Sequence, residues 1–267
     1  MDAGGLHPRL VDLLRSQGWT GLTEAQRAAQ GPLAARSHVL LVAPTGHGKT
    51  EAALLPVLSR ILEESDALAA KGKPWPVGFK ALYVTPLRAL NRDLMGRLTS
   101  WAAGLDVAIG VRHGDTSPSE RARQARSPPD LLITTPETLQ LLLYGDTLRR
   151  HLATVRFVIV DEVHDLAASE RGAQLTAALE RIEEVIAQPA ELRAAKAPER
   201  MCPSKPGARL GGGFQRIGLS ATVADPPLVA RFLAGQESDG TPRPVQALVV
   251  EARKETRLAV VEPRVEA

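Results

Sequence analysis

Cysteine occurs once in this 267-residue chain, at Cys202. That excludes an internal disulfide and fits a reducing compartment. No histidine or second cysteine stands near it at metal-ligand spacing, so a zinc site there is not expected. Aromatic residues make up 3% of the chain, too few for base stacking to dominate any grip on a nucleic acid. No apolar run approaches the roughly 20 residues of a membrane span. The first residues lack the basic-then-apolar order of a secretory signal, so the expectation is a cytoplasmic protein with no membrane partner. Net charge is only +3, so whole-chain charge says little about a polyanionic partner. Against these scarcities stand 44% hydrophobic and 24% charged residues, an ordinary globular balance at a length that buries a sizeable core.

Apolar, β-branched runs alternate with helix-like stretches. Strands are expected near residues 38–42, 80–85, 107–111, 131–134, 157–160, 215–219 and 245–250. Helices are expected at 8–16, 24–34, 51–63, 88–102, 118–126, 136–144, 171–187 and 227–233. This rhythm predicts an α/β fold, a mostly parallel central sheet of about seven strands covered on both faces. Residues 67–78 read as a connector, and residues 188–213, with four prolines and a closing Gly211-Gly212-Gly213, as a flexible insertion. There is no internal repeat. The division is helices over 1–36, a central domain over 37–250, and a charged linker over 251–267.

The chemistry sits at strand ends. The strand at 38–42 runs into Ala43-Pro44-Thr45-Gly46-His47-Gly48-Lys49-Thr50 and then into a helix. Glycines let successive backbone N–H groups turn toward one phosphate, and the helix N-terminus adds partial positive charge. Lys49 is expected on the β- and γ-phosphates and the Thr50 hydroxyl on magnesium, with the His47 side chain facing solvent. Ala43 stands where the motif G-x-x-x-x-G-K-[ST] begins with glycine. The strand at 157–160 ends on Asp161-Glu162-Val163-His164. Asp161 is placed to hold magnesium across a neighbouring strand, and Glu162 to orient or deprotonate the attacking water. A nucleoside triphosphate with magnesium is the expected ligand.

These residues resemble superfamily 2 helicases of the DExH type, over about residues 22–250 and in that family's motif order. The Lys49 loop is similar to motif I, and Asp161 through His164 to motif II. Thr85-Pro86-Leu87-Arg88-Ala89-Leu90 resembles motif Ia, Thr134-Thr135-Pro136-Glu137 motif Ib, and Ser220-Ala221-Thr222 motif III, which couples hydrolysis to nucleic-acid movement. Thr23-Glu24-Ala25-Gln26 resembles the Q motif, whose glutamine reads the adenine edge. Within the superfamily the wording is most similar to the Lhr (large helicase-related) group, on Arg112-His113-Gly114-Asp115-Thr116, on Asp161 through Leu166 and on Ser169 through Leu175, and on Arg216 through Thr222. The resemblance implies a P-loop NTPase of RecA-like, three-layer form that takes ATP with magnesium. It also implies a partner domain of the same kind carrying an arginine finger, with further carboxy-terminal modules; this chain has the first domain alone. Single-stranded DNA, with RNA as the alternative, three-prime to five-prime movement and a role in repair belong to the same implication.

Local features bear on a nucleic acid independently. Between Lys80 and Arg126, eight basic residues stand against four acids, an excess that solvated helix faces also produce. Thr85-Pro86 and Thr134-Thr135-Pro136 each follow an apolar strand and open a helix. Such turns hold a strand's phosphates or simply cap the helix; the resemblance adds Arg88, Gly114, Asp115 and Glu137 to the nucleic-acid side. Trp19 either packs on the adenine pocket or anchors the core. His164 either relays the γ-phosphate to Ser220-Ala221-Thr222 or is structural. Two other functions remain open on residues alone: a nucleotide-sensing module that never unwinds, and a P-loop ATPase driving something other than nucleic acid.

Overall fold

A computed structural model of the chain describes residues 4–86, 92–167, 169–188, 213–221, 223–237 and 239–250. Arg88, Thr222, most of the expected insertion and the expected linker lie outside the described residues. The elements, in chain order, are α1 Pro8–Ser16, α2 Glu24–Ala34, β1 His38–Val42, α3 Lys49–Ala69, β2 Ala81–Val84, α4 Arg92–Leu105, β3 Ile109–Arg112, α5 Pro118–Arg126, β4 Leu131–Thr134, α6 Pro136–Tyr144, α7 Asp146–Leu152, β5 Phe157–Val160, α8 Val163–Ala167, α9 Glu170–Ala187, β6 Gln215–Ser220, α10 Pro226–Ala234 and β7 Val245–Val249.

The seven strands form one sheet in the order β3-β4-β2-β5-β6-β1-β7. Every pairing in it is parallel. Because strand side chains alternate between faces, each strand feeds two cores. Val39, Leu41, Tyr83, Ile133, Ile159 and Leu219 face a layer built from α1, α2, α3 and α4. Leu40, Val42, Leu82, Leu132, Val158 and Val160 face a layer drawn mainly from α6, α9 and α10. The expected three-layer α/β architecture is the observed one.

Several element ends differ from expectation for local reasons. Helix α3 begins at Lys49, directly after Gly48, whose φ of 75° ends the loop in one step. It continues to Ala69 through residues read as connector, since Asp66-Ala67-Leu68-Ala69 are compatible with helix. The short helices α7 and α8 carry too few residues to show a period. Trp19 packs edge-on against Trp101 of α4 at 6.4 Å, the core-anchoring alternative. Among the described residues, no helix is long and apolar enough to cross a membrane.

At the amino-terminal end of the strands, a buried ion network fastens the second layer to the sheet. Arg216, fully buried at the start of β6, donates to Glu180 at 3.0 Å, Glu183 at 3.3 Å and the Leu233 carbonyl at 3.2 Å. Arg243 adds a forked pair to the two Glu180 oxygens at 2.8 and 2.9 Å. The Arg216 N–H donates to His38 Nδ1 at 3.0 Å. Burial, and then the charges of Arg216 and Arg243, push the His38 pKa from 6.5 down to about 4.

A group depressed in the folded state contributes stability above its unfolded pKa and loses it as pH falls through the folded one. Urea midpoints should therefore decline as the pH drops from about 6.5 toward about 4. His38→Gln, which keeps an acceptor for Arg216, should flatten that decline; an equal slope in both proteins would assign it to other groups.

Candidate nucleotide and nucleic-acid site at the carboxyl edge

Parallel pairing places the loops after β1, β6 and β5 side by side, and those after β2, β4 and β3 beyond them. The Asp161 carboxylate thus faces the phosphate loop across one intervening strand, β6, whose Ser220 carbonyl accepts the Ala43 N–H at 3.2 Å.

In the loop, Gly46 and Gly48 take φ of 80° and 75°, left-handed values that let the backbone curl. Helices α2, α5, α6, α9 and α10 begin under a side-chain cap, whereas Gly48 leaves α3 without one. The first amides of α3 thus lack a competing side-chain acceptor, as an anion site requires. Lys49 is buried, and its ammonium donates to the Ala43 carbonyl at 2.7 Å. Burial lowers its pKa, opposed by the charges of Glu162 and Asp161. Pro44 and His47 are half-buried, Thr45 and Gly46 exposed. The His47 ring lies 3.1 Å from the Thr45 carbonyl, in an exposed contact.

Gln26 backs this loop. It is buried, and with Thr23 it forms a capping box at the start of α2: its side-chain oxygen accepts the Thr23 N–H at 2.8 Å, and Thr23 Oγ1 accepts the Gln26 N–H at 3.3 Å. Thr23 also donates to the His47 carbonyl at 3.1 Å. A Cβ at Gly48 would lie 2.6 Å from Gln26 Nε2.

Asp161 is buried and Glu162 half-buried. One Asp161 oxygen accepts the Glu162 N–H at 2.9 Å, and the other accepts the Tyr83 hydroxyl at 2.5 Å. Burial raises the Asp161 pKa against the lowering pull of the Tyr83 hydrogen bond. Glu162 takes φ of 49°, an uncommon backbone for a non-glycine residue and a form of strain that clusters at functional sites. His164 stands between carboxylates, 3.4 Å from Glu162 and 3.6 Å from Asp165. Ser220 is buried, with its hydroxyl on the Ala221 carbonyl at 2.9 Å.

The oxygen donors here, one carboxylate and the Thr50 hydroxyl, suit a hard cation. Among the described residues no group of three or more His, Cys, Asp or Glu side chains could hold a metal ion by itself.

On the other half of the edge, Thr85, Pro86, Thr134, Thr135 and Pro136 are buried, while Gly114, Asp115 and Glu137 are exposed. Thr135 caps α6, and Glu137 pairs with Arg171 at 2.5 Å. The buried hydroxyls of Thr85 and Thr134 have no hydrogen-bond partner among the described residues. Their turns therefore offer backbone and shape more than threonine side chains. Arg121, which no motif pointed to, donates to the carbonyls of His113, Gly114 and Thr116 and holds the 113–116 loop.

The DEAD/DEAH box helicase family matches residues 23–228. The chain belongs to that family. It is 35% identical to the ATP-dependent helicase Lhr-Core of Methanothermobacter thermautotrophicus, over 97% of this chain and 28% of that protein. It is 36% identical to the Lhr helicase/uracil glycosylase of Escherichia coli, over 86% of this chain and 14% of that protein. The structure of Mycobacterium smegmatis helicase Lhr bound to ssDNA and AMP-PNP superposes with a TM-score of 0.72 at 34% identity, covering 94% of this chain and 28% of that one. The chain is thus an Lhr-like helicase domain that spans between 14% and 28% of the length of these relatives. Membership in a helicase family disfavours the sensing-module alternative.

Gly48→Ala forces a side chain into left-handed backbone and against Gln26. It should cost about 1–3 kcal/mol of stability and weaken ATP binding, read by denaturant unfolding and nucleotide titration; unchanged values would show that the loop and α2 are not in contact.

Proposed function

We propose that this domain binds ATP with magnesium and grips the backbone of single-stranded DNA, and that it hydrolyses ATP as one half of a two-domain helicase motor. The observation that carries this reading is the convergence, on one sheet edge, of an uncapped α3 behind a glycine loop, a buried lysine and a buried carboxylate. Phosphates would sit on the loop and α3 amides, with Lys49 exchanging the Ala43 carbonyl for phosphate oxygens and Gln26 offering its amide to adenine. Thr50 and Asp161 would hold magnesium, which supplies charge neutralisation of the phosphates. Glu162 would orient and deprotonate the attacking water, with His164 beside it, and Ser220-Ala221-Thr222 would couple the nucleotide state to the strand. The turns at Thr85-Pro86 with Arg88, at Thr134 through Glu137, and at Gly114-Asp115 form the strand-binding half. The M. smegmatis relative, bound to ssDNA and AMP-PNP, supports both halves of the reading. Backbone tracking fits a chain with 3% aromatic residues. The single cysteine supports a cytoplasmic setting.

A second RecA-like domain would contribute the arginine finger, whose loss costs about 10³–10⁵ in rate. The chain alone should therefore bind ATP tightly and turn it over slowly. Lys49→Ala should abolish nucleotide binding, and Glu162→Gln should preserve binding while blocking hydrolysis in the two-domain protein. Titration of labelled ATP, with turnover measured in the presence of single-stranded DNA or RNA, tests this. Fast strand-stimulated turnover by the chain alone would overturn the need for a second domain, and stimulation by RNA alone would overturn the DNA preference.

A further inference from the structure

Tyr83 is one of two tyrosines in the chain, and it lies fully buried in β2. It stands opposite Ile159 of β5, so its phenol reaches one step further along the sheet and meets the carboxylate that follows that strand. Its hydroxyl donates to Asp161 Oδ2 at 2.5 Å, while Asp161 Oδ1 accepts the Glu162 N–H at 2.9 Å. Each carboxylate oxygen is thus held by a fixed donor from a different strand or turn. A single buried hydroxyl therefore fixes the carboxylate assigned to the metal at the end of β5. Packing alone does not require it, since phenylalanine would fill the same space. The Lys49 charge also bears on Asp161, and without the phenol the carboxylate has less to hold it in place against that pull.

We propose that Tyr83 is a positioning residue for magnesium: its phenol locks Asp161 in the arrangement that receives the ion, and does so from the strand that leads into Thr85-Pro86. The inference rests on the nucleotide-site reading above and adds to it a residue from outside the motifs. Partners that orient metal ligands typically change metal affinity about 10–100-fold when removed.

The test is the magnesium dependence of binding of a fluorescent ATP analogue to the whole chain, wild type against Tyr83→Phe, with no turnover involved. In the variant, affinity without magnesium should be unchanged, and the magnesium concentration giving half the full enhancement should rise about tenfold or more. A folded Tyr83→Phe variant with the wild-type magnesium curve overturns the proposal. If that variant fails to fold, Tyr83→Met, which also lacks the hydroxyl, takes its place under the same criteria. A wild-type chain whose nucleotide affinity ignores magnesium overturns the site reading and this inference together, whereas a responsive wild type with an unshifted variant overturns only the inference.

Discussion

Parallel strand pairing is the constraint on which the rest of this molecule depends. Because all seven strands run the same way, every chemically equipped loop leaves the sheet at one edge, and every helix must return across a face to begin the next strand. Ligands in open α/β sheets gather at such edges. The price is that both faces need a covering layer, which the two apolar cores provide. The opposite edge is left for fastening, done by Arg216, Arg243 and their glutamates.

The strand order divides that edge by task. β5, β6 and β1 carry the phosphate loop, the paired carboxylates and the Ser220-Ala221 turn, while β3, β4 and β2 carry the loops assigned to the strand. The boundary runs between β2 and β5, which pair residue for residue from Ala81 with Phe157 to Val84 with Val160. Tyr83 and Asp161 face each other across it. Under the proposed function, a signal between nucleotide and nucleic acid would have a short hydrogen-bonded path at that seam.

Much of this was legible in the residues. Runs such as Phe157-Val158-Ile159-Val160 are buried on both faces and lack polar interruptions, so they read as interior strands. Helices with a capping hydroxyl, proline or acid at the start, such as Pro118–Arg126, also read to the residue. The strand order did not, because the placement of β6 between β1 and β5 is a tertiary choice with no local signature. The contact of Tyr83 with Asp161 was invisible for the same reason: 78 residues separate them. The buried state of Thr85 and Thr134 was equally hidden, since a threonine at the end of a strand looks the same whether its hydroxyl points to solvent or inward. Arg121 fell within a charged helix whose basic residues read as a solvated face.

The grip of Arg121 on the carbonyls of His113, Gly114 and Thr116 bears on kinetics. A surface loop that must order itself on contact loses conformational freedom at the moment of binding, about 1–2 kcal/mol for each backbone position fixed. Here one guanidinium has fixed the shape beforehand. A ligand docking on this loop meets a finished surface, so its association rate should follow diffusion and charge instead of waiting for the loop to fold.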